Sequence, residues 1–302
     1  MQRFIFTDDL DGKNSPGSKT IELKHVLEVT GLNGMPVTLN STNPYGKDGI
    51  VVSSITMDAR PFSIQFDILG KNFEEAAEER RALTAFFGNK KPKRFEYTRD
   101  GFTVYLKDVY LAGVYETGAS ENRILNGTMQ FIATNPYFRK DIDLSKRDFE
   151  KALLMYPEEG IVYDSVFDED KNEYYEVGIE YSTIETSISV ENNGDEVSPA
   201  LIRFYGPAQN PKITNKITDQ SMKVAKKIED GEILEISTEK ARIDIIHPDE
   251  TRSNAFSYIE DDSDTRSEFI NLAVGENVFE FVASGGDTGY LEVGGVEYYA
   301  GI

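Results

Sequence analysis

Along residues 62–69 apolar and polar side chains alternate without a break: Phe62, Ile64, Phe66 and Ile68 fall on one face, Ser63, Gln65 and Asp67 on the other. A period of two is that of a strand lying half-buried on a core. Directly afterwards the period changes. Phe73, Ala76, Ala77, Leu83 and Phe87 recur at helical spacing. Asn72 is a good N-cap, and Glu75 three residues later completes a capping-box pattern. Glu74, Glu75, Glu78 and Glu79 load the first turns with negative charge, which suits the helix dipole. Gly88 stops the pattern, and Lys90, Lys91 and Lys93 lie just beyond. The spacing predicts a helix over 73–87, with Phe73, Leu83 and Phe87 packed against the sheet.

The rest of the chain reads as strands and turns. Residues 26–32 and 36–40 predict a hairpin about Asn33-Gly34, since both residues tolerate positive φ. Asn43-Pro44-Tyr45-Gly46 is a further turn, and the polar stretch 8–20 a loop or mobile arm. Strand patterns follow at 94–98, 102–106, 109–115 and 124–134, with Asp100-Gly101 as a second hairpin signal. Residues 139–160 are charged and weakly patterned. Beyond them come short strands at 160–166, 174–181, 183–190, 200–205, 233–237, 242–246, 278–282 and 289–299, with 219–229 the one candidate for a short helix. The fold class expected is mainly β: two sandwich-like domains, 1–140 and 141–302, the first carrying one helix.

Composition sharpens this picture. The 302 residues suit two domains at about 100–200 residues each, and 34 Tyr and Phe make a β-rich core plausible. The net charge of −21 is unevenly spread. Residues 1–140 carry 18 basic and 17 acidic side chains, a net of +1, and residues 141–302 carry 14 and 36, a net of −22. The acidic half would be repelled by nucleic acid and anionic membranes. The sequence has no Cys, so disulfides, thiolate metal sites and a cysteine nucleophile are excluded. There is neither a signal-peptide pattern at Met1–Phe6 nor an apolar run long enough to span a bilayer. A soluble protein without membrane insertion is expected.

Candidate chemistry is sparse. His25 and His247 stand far apart, and both read as structural or surface residues. No nucleophile elbow or phosphate-binding glycine loop occurs. Asp168–Asn172 begins like an EF-hand, but Glu173 stands where glycine belongs and Ile179 where the closing glutamate belongs. The Glu260–Asp264 run reads as a solvated acidic turn. Lys90, Lys91, Lys93 and Arg94 are accounted for by a helix carboxyl end, so no sequence-specific nucleic-acid partner is expected. The reading is of no catalytic residue, no cofactor and no metal site.

Several segments taken together resemble one family: "FSIQFDILG", the helix "NFEEAAEERRALTAFFG", the pair "RFEYTRDGFTVYLKDVYLAG", and "MQFIATNPYFRK" with its Asn135–Phe138 turn. "VENNGDEVSPALIRFYG" and "NPKITN" follow in order. In their spacing they resemble the siphophage distal tail proteins. The resemblance implies a non-enzymatic virion component at the tail tip, assembled in the host cytoplasm. Its N-terminal domain would form a hexameric ring joining the tail tube to baseplate or tip fibre proteins, and its C-terminal domain would be a galectin-like sandwich. Asn43, Pro44, Tyr45 and Gly46 are the candidates for reaching an adjacent subunit in that ring. A second reading is a carbohydrate-binding module for host adhesion, with Tyr174, Tyr175, Tyr298 and Tyr299 available as a sugar platform.

Overall fold

A computed structural model describes residues 2–12, 15–113, 116–117, 124–148, 151–152, 165–168, 173–176, 183–261, 266–284 and 289–302. The chain divides into two compact units, Met1–Lys140 with Tyr298–Ile302, and Asp141–Glu297. The last five residues thus belong with the first unit, although the sequence placed them with the second. They carry no charged side chain, so the first unit keeps its net of +1 and the second its −22.

In the first unit seven strands form one antiparallel sheet, in the order Thr20–Leu23, Gln2–Thr7, Lys93–Arg99, Phe102–Leu111, Ile124–Ala133, Arg60–Leu69 and Val26–Thr30. The first and last strands of that order are joined by Lys24-His25 alone, so the sheet rolls upon itself. His25 accommodates the sharp link with φ of +52°. Phe62, Ile64, Phe66 and Ile68 all point inward. They meet an aromatic cluster in which Phe6 lies 4.7 Å from Phe131 and 4.8 Å from Phe95, centroid to centroid. The Gln2–Thr7 strand supplies Phe4 and Phe6 to this core.

The helix runs Phe73–Phe87. The Asn72 side chain accepts from the Glu75 N–H at 2.9 Å, and Glu75 Oε2 accepts from the Lys71 N–H at 2.7 Å. The box therefore closes one residue earlier than the pattern implies. Ala76, Ala77, Leu83, Phe86 and Phe87 are buried, but Phe73 is 57% exposed. Phe73 does not pack against the sheet as expected: helical spacing assigns it a face, but not how far the sheet extends beneath that face. Phe86 is the additional aromatic contact.

Pairing differs from the sequence reading at two places. Val26–Thr30 and Val37–Thr42 are not partners across Asn33-Gly34; the first pairs with Arg60–Leu69 and the second with Val51–Met57. The two strand patterns expected at 102–106 and 109–115 merge into one strand that ends at Leu111, Phe102–Leu111, with a shift of register and Asp108 at φ +52°; residues 114–115 lie outside the described residues. Asp100-Gly101 does make the expected tight turn, both residues at positive φ.

The second unit is a sandwich of two antiparallel sheets. One orders Tyr290–Tyr299, Ser198–Tyr205, Ile233–Ser237, Arg242–Ile246 and Arg252–Asn254. The other orders Lys151–Ala152, Thr183–Asn192, Gly275–Ser284, Ala208–Asn215, Gln220–Val224 and Ile259–Glu260. Ile202, Phe204, Leu234, Ile236 and Val293 from the first face Ile188, Val190, Ile213, Phe279 and Phe281 from the second. Phe204 stacks on Phe281 at 4.8 Å. The short helix expected at 219–229 is instead two strands, Gln220–Val224 and Lys227–Ile228. Its burial alternates, with Met222, Val224 and Ile228 fully inside, a period of two rather than 3.6. Two further short strands, Ser165–Asp168 and Glu173–Glu176, pair with each other.

Candidate assembly surface

The first unit carries one element that belongs to no larger sheet. Val37–Thr42 and Val51–Met57 pair only with each other among the described residues. Val37 faces Met57 and Leu39 faces Ile55 across the strands, and Val52 continues the same row beyond a bulge at Asn40/Ser41. The opposite face pairs Thr38 with Thr56 and Asn40 with Ser54, where Asn40 Nδ2 donates to Ser54 Oγ at 3.0 Å. The apolar row is open to water: Val37 is 48%, Leu39 53%, Ile55 60% and Met57 42% exposed. A lone two-stranded hairpin is marginal in water, and a contiguous exposed apolar row marks an interaction site. The two strands form an arm with one apolar and one polar face, both open to solvent.

Asn43, Pro44, Tyr45 and Gly46 form the tip of this arm. Pro44 accepts from the Lys47 N–H at 3.4 Å, and Gly46 and Gly49 turn at positive φ. Tyr45 is wholly exposed, and Ile50 and Val51 flank the tip with more than half their surfaces in solvent. The sequence located the tip as a turn but missed the arm. The Val51–Met57 segment, rich in β-branched residues and alternating over Ser54, Ile55, Thr56 and Met57, carried that signal.

At the root of the arm sits Arg60, fully buried. Its Nε donates to the Pro136 carbonyl at 2.6 Å, and Nη1 lies 2.8–3.1 Å from the carbonyls of Gly31, Leu32 and Gly34. Nη2 donates to the Ala300 carbonyl at 2.5 Å and to Met35 Sδ at 3.1 Å. The guanidinium also lies 4.9 Å from the Phe138 ring centroid. Burial pulls its pKa down, yet guanidinium stays charged in proteins. Six acceptors disperse that charge, and none of them is a carboxylate. Nothing in the local sequence singles Arg60 out.

The other candidate residues hold structural positions. The basic cluster is split: Lys90 and Lys91 are exposed, whereas Lys93 is 1% exposed and donates to Asn89 Oδ1 at 3.1 Å, and Arg94 is 8% exposed and bonds Glu96 at 2.8 Å. Burial lowers the Lys93 pKa. His25 is exposed. His247 Nδ1 lies 2.8 Å from Glu232 Oε1, and its Nε2 3.0 Å from Ser253 Oγ. Of the possible sugar platform, Tyr298 stacks on Tyr137 at 5.0 Å and Tyr299 meets Phe102 edge-on at 5.5 Å. The side chains of Tyr174 and Tyr175, and most of the Asp168–Asn172 run, lie outside the described residues. Asp261 Oδ1 accepts from the Ser267 N–H at 2.8 Å. Among the described residues no group of three His, Asp or Glu could hold a metal ion, and no helix is long and apolar enough to cross a membrane.

In the second unit partly exposed arginines bridge two buried carboxylates on the sheet face turned away from the core. Arg203 Nε and Arg252 Nη1 donate to the two oxygens of Glu235 at 2.8 and 2.7 Å. Arg242 and Arg252 also approach Asp244, at 3.0 and 3.5 Å. Burial alone would raise the Glu235 carboxyl. The hydrogen bonds from Arg252 and Arg203 together outweigh it and hold the carboxyl below its ordinary value. This network locks adjacent strands and presents no nucleophile.

Comparison with curated protein sequences gives no match. Among solved structures, the chain is similar to the Dit protein of phage SPP1, described as a paradigm of the hub adsorption apparatus in phages infecting Gram-positive bacteria. The TM-score is 0.64 and the identity 14%, over 99% of both chains. It is also similar to a chain of the phage P2 baseplate in its activated conformation with Ca, with TM-score 0.51 and 14% identity, over 95% of this chain and 99% of that one. At these identities the likeness concerns the fold. Two family models match in sequence: a phage tail protein RIFT-related domain over residues 17–193, and the C-terminal domain of a siphovirus-type tail component over residues 193–293. With more than half its length matched by the first model and most of the remainder by the second, the chain belongs to the siphovirus-type tail components and is a Dit-like structural protein of the siphophage tail.

Proposed function

We propose that this chain is a non-enzymatic subunit that closes into a ring through its first unit and joins the tail tube to the baseplate or tip proteins of the virion. Assembly in the host cytoplasm precedes its incorporation at the tail tip. The observation that carries this reading is the free arm at 37–57, whose apolar row has no partner within the described residues of its own chain. A ring of identical subunits needs two different surfaces that meet head to tail and close, and an arm leaving the body of its own unit suits one of them. The near-neutral charge of the first unit permits close approach of several copies, whereas units of −22 repel one another at short range. The family resemblance implies six copies; Asn43, Pro44, Tyr45 and Gly46, at the tip of the arm, are the candidates for the contact.

Leu39→Ser with Ile55→Ser tests this reading, because both side chains are exposed and their loss leaves the core intact. By native mass spectrometry the parent chain is expected as one discrete oligomer, and the double variant as a monomer with an unchanged melting temperature. An oligomer of the same mass in both would overturn the role of the arm.

A further inference from the structure

We propose that Arg60 and the segment Tyr298–Ile302 form a clamp that sets the root of the arm, making Arg60 a positioning residue for assembly and the 298–302 segment a condition of it. The assembly half of this statement rests on the function proposed above; the clamp itself does not.

Three segments far apart in sequence converge on the Arg60 guanidinium. Gly31, Leu32, Gly34 and Met35 precede the arm's first strand, Arg60 follows its second strand by three residues, Pro136 comes from the Asn-Pro-Tyr-Phe turn, and Ala300 from the C-terminal segment. The two chain lengths that enter and leave the arm are thus fastened to one rigid fork. A second fastening lies beside it, where the Asp58 N–H donates to the Pro36 carbonyl at 3.0 Å and the Thr38 hydroxyl to the Asp58 carboxylate.

The C-terminal segment is held independently along its length. Tyr298 lies parallel to Tyr137, within 4°, and 5.4 Å from the Arg139 guanidinium; Ile302 packs against the core of the first unit. Gly301 lies so close to the 31–35 turn that a Cβ there would stand 2.8 Å from the Gly34 nitrogen. Only glycine fits that approach without a shift of backbone. Displacing the segment takes the Ala300 carbonyl from Nη2 and leaves that nitrogen its contact with Met35 Sδ, so the fork and its turn lose one fastening. Lysine cannot replace the fork, because one ammonium group cannot meet acceptors arranged around a plane.

Hydrogen exchange on the full-length chain, read peptide by peptide, tests the clamp, with native mass measured on the same samples. Gly301→Val displaces the segment and leaves Arg60 in place; Arg60→Lys keeps the charge and removes the fork. In both, amides of 31–42 and 51–60 are expected to exchange roughly tenfold faster, the order expected when one buried hydrogen bond is lost. The helix at 73–87 and the strands of the second unit keep their parent rates, and the oligomer dissociates. Unchanged exchange at the arm's root in Gly301→Val would overturn the clamp, as would a general rise across the first unit. Faster exchange at the root with an intact oligomer would overturn its part in assembly. A monomeric parent chain would instead sink the assembly reading, while the exchange result still decides the clamp.

Discussion

Leu83→Ala and Phe73→Ala form a matched pair on one helix, and their difference measures how the helix lies on the sheet. Leu83 is 3% exposed, so its truncation loses nearly the whole transfer energy of the side chain and leaves a cavity among Phe86, Phe87 and the sheet. Such changes cost about 2–5 kcal/mol. Phe73 is 57% exposed. Full burial of a phenylalanine is worth about 1.5–3 kcal/mol, so the part still covered contributes about 1 kcal/mol. Alanine's higher helix propensity returns a few tenths of that. For a unit of this size each kcal/mol moves the midpoint by roughly 2–4 °C. Scanning calorimetry should show the first unit's transition falling by roughly 4–20 °C in Leu83→Ala and by under about 3 °C in Phe73→Ala. Equal losses in the two variants would refute the packing described here.

The remaining expectations concern charge, metal and the second unit. The Glu235 carboxyl is held below its ordinary value, so its charged form stabilises the fold above about pH 4.3, and that contribution is lost as pH falls through the folded value. Glu235→Gln should therefore be less stable than the parent at neutral pH, with the gap narrowing below about pH 4 in urea titrations; a gap independent of pH would contradict the network. A chelator should leave the melting temperature unchanged, and a clear drop would point to a cation site near the Asp168 or Asp261 segments. Residues 141–297 expressed alone should sediment as a monomer at low salt, since copies of −22 repel; association there would move the interface to the second unit.

What the sequence disclosed was local. The row Phe62, Ile64, Phe66 and Ile68, the helix from Asn72 to Gly88 and the Asp100-Gly101 turn depend on near neighbours, and all stand where the pattern put them. Periodicity says nothing about which strand pairs with which. Val26–Thr30 and Val37–Thr42 look like hairpin partners because a good turn lies between them, yet each finds its partner further along the chain. The Gln2–Thr7 strand has only a short pattern in the sequence, Phe4 and Phe6 two residues apart, and its burial comes from strands distant in the chain. Asn192-Asn193-Gly194 stood out as part of a family pattern, and the structure shows the reason: Asn192 Nδ2 donates to the carbonyls of Glu196 and Leu272, and Asn193 bonds Glu297. Arg60 left no trace at all, since its partners lie up to 240 positions away and all but Met35 Sδ are main-chain carbonyls, which every residue has.

Electron cryomicroscopy of purified tails from the phage that encodes this chain tests the central claim most directly. The account expects a closed ring of this chain at the distal end, between the tube and the tip proteins, with the 37–57 arm of each first unit lying against the next. A tail end built without this chain, or subunits there that meet only through their acidic second units, would contradict it.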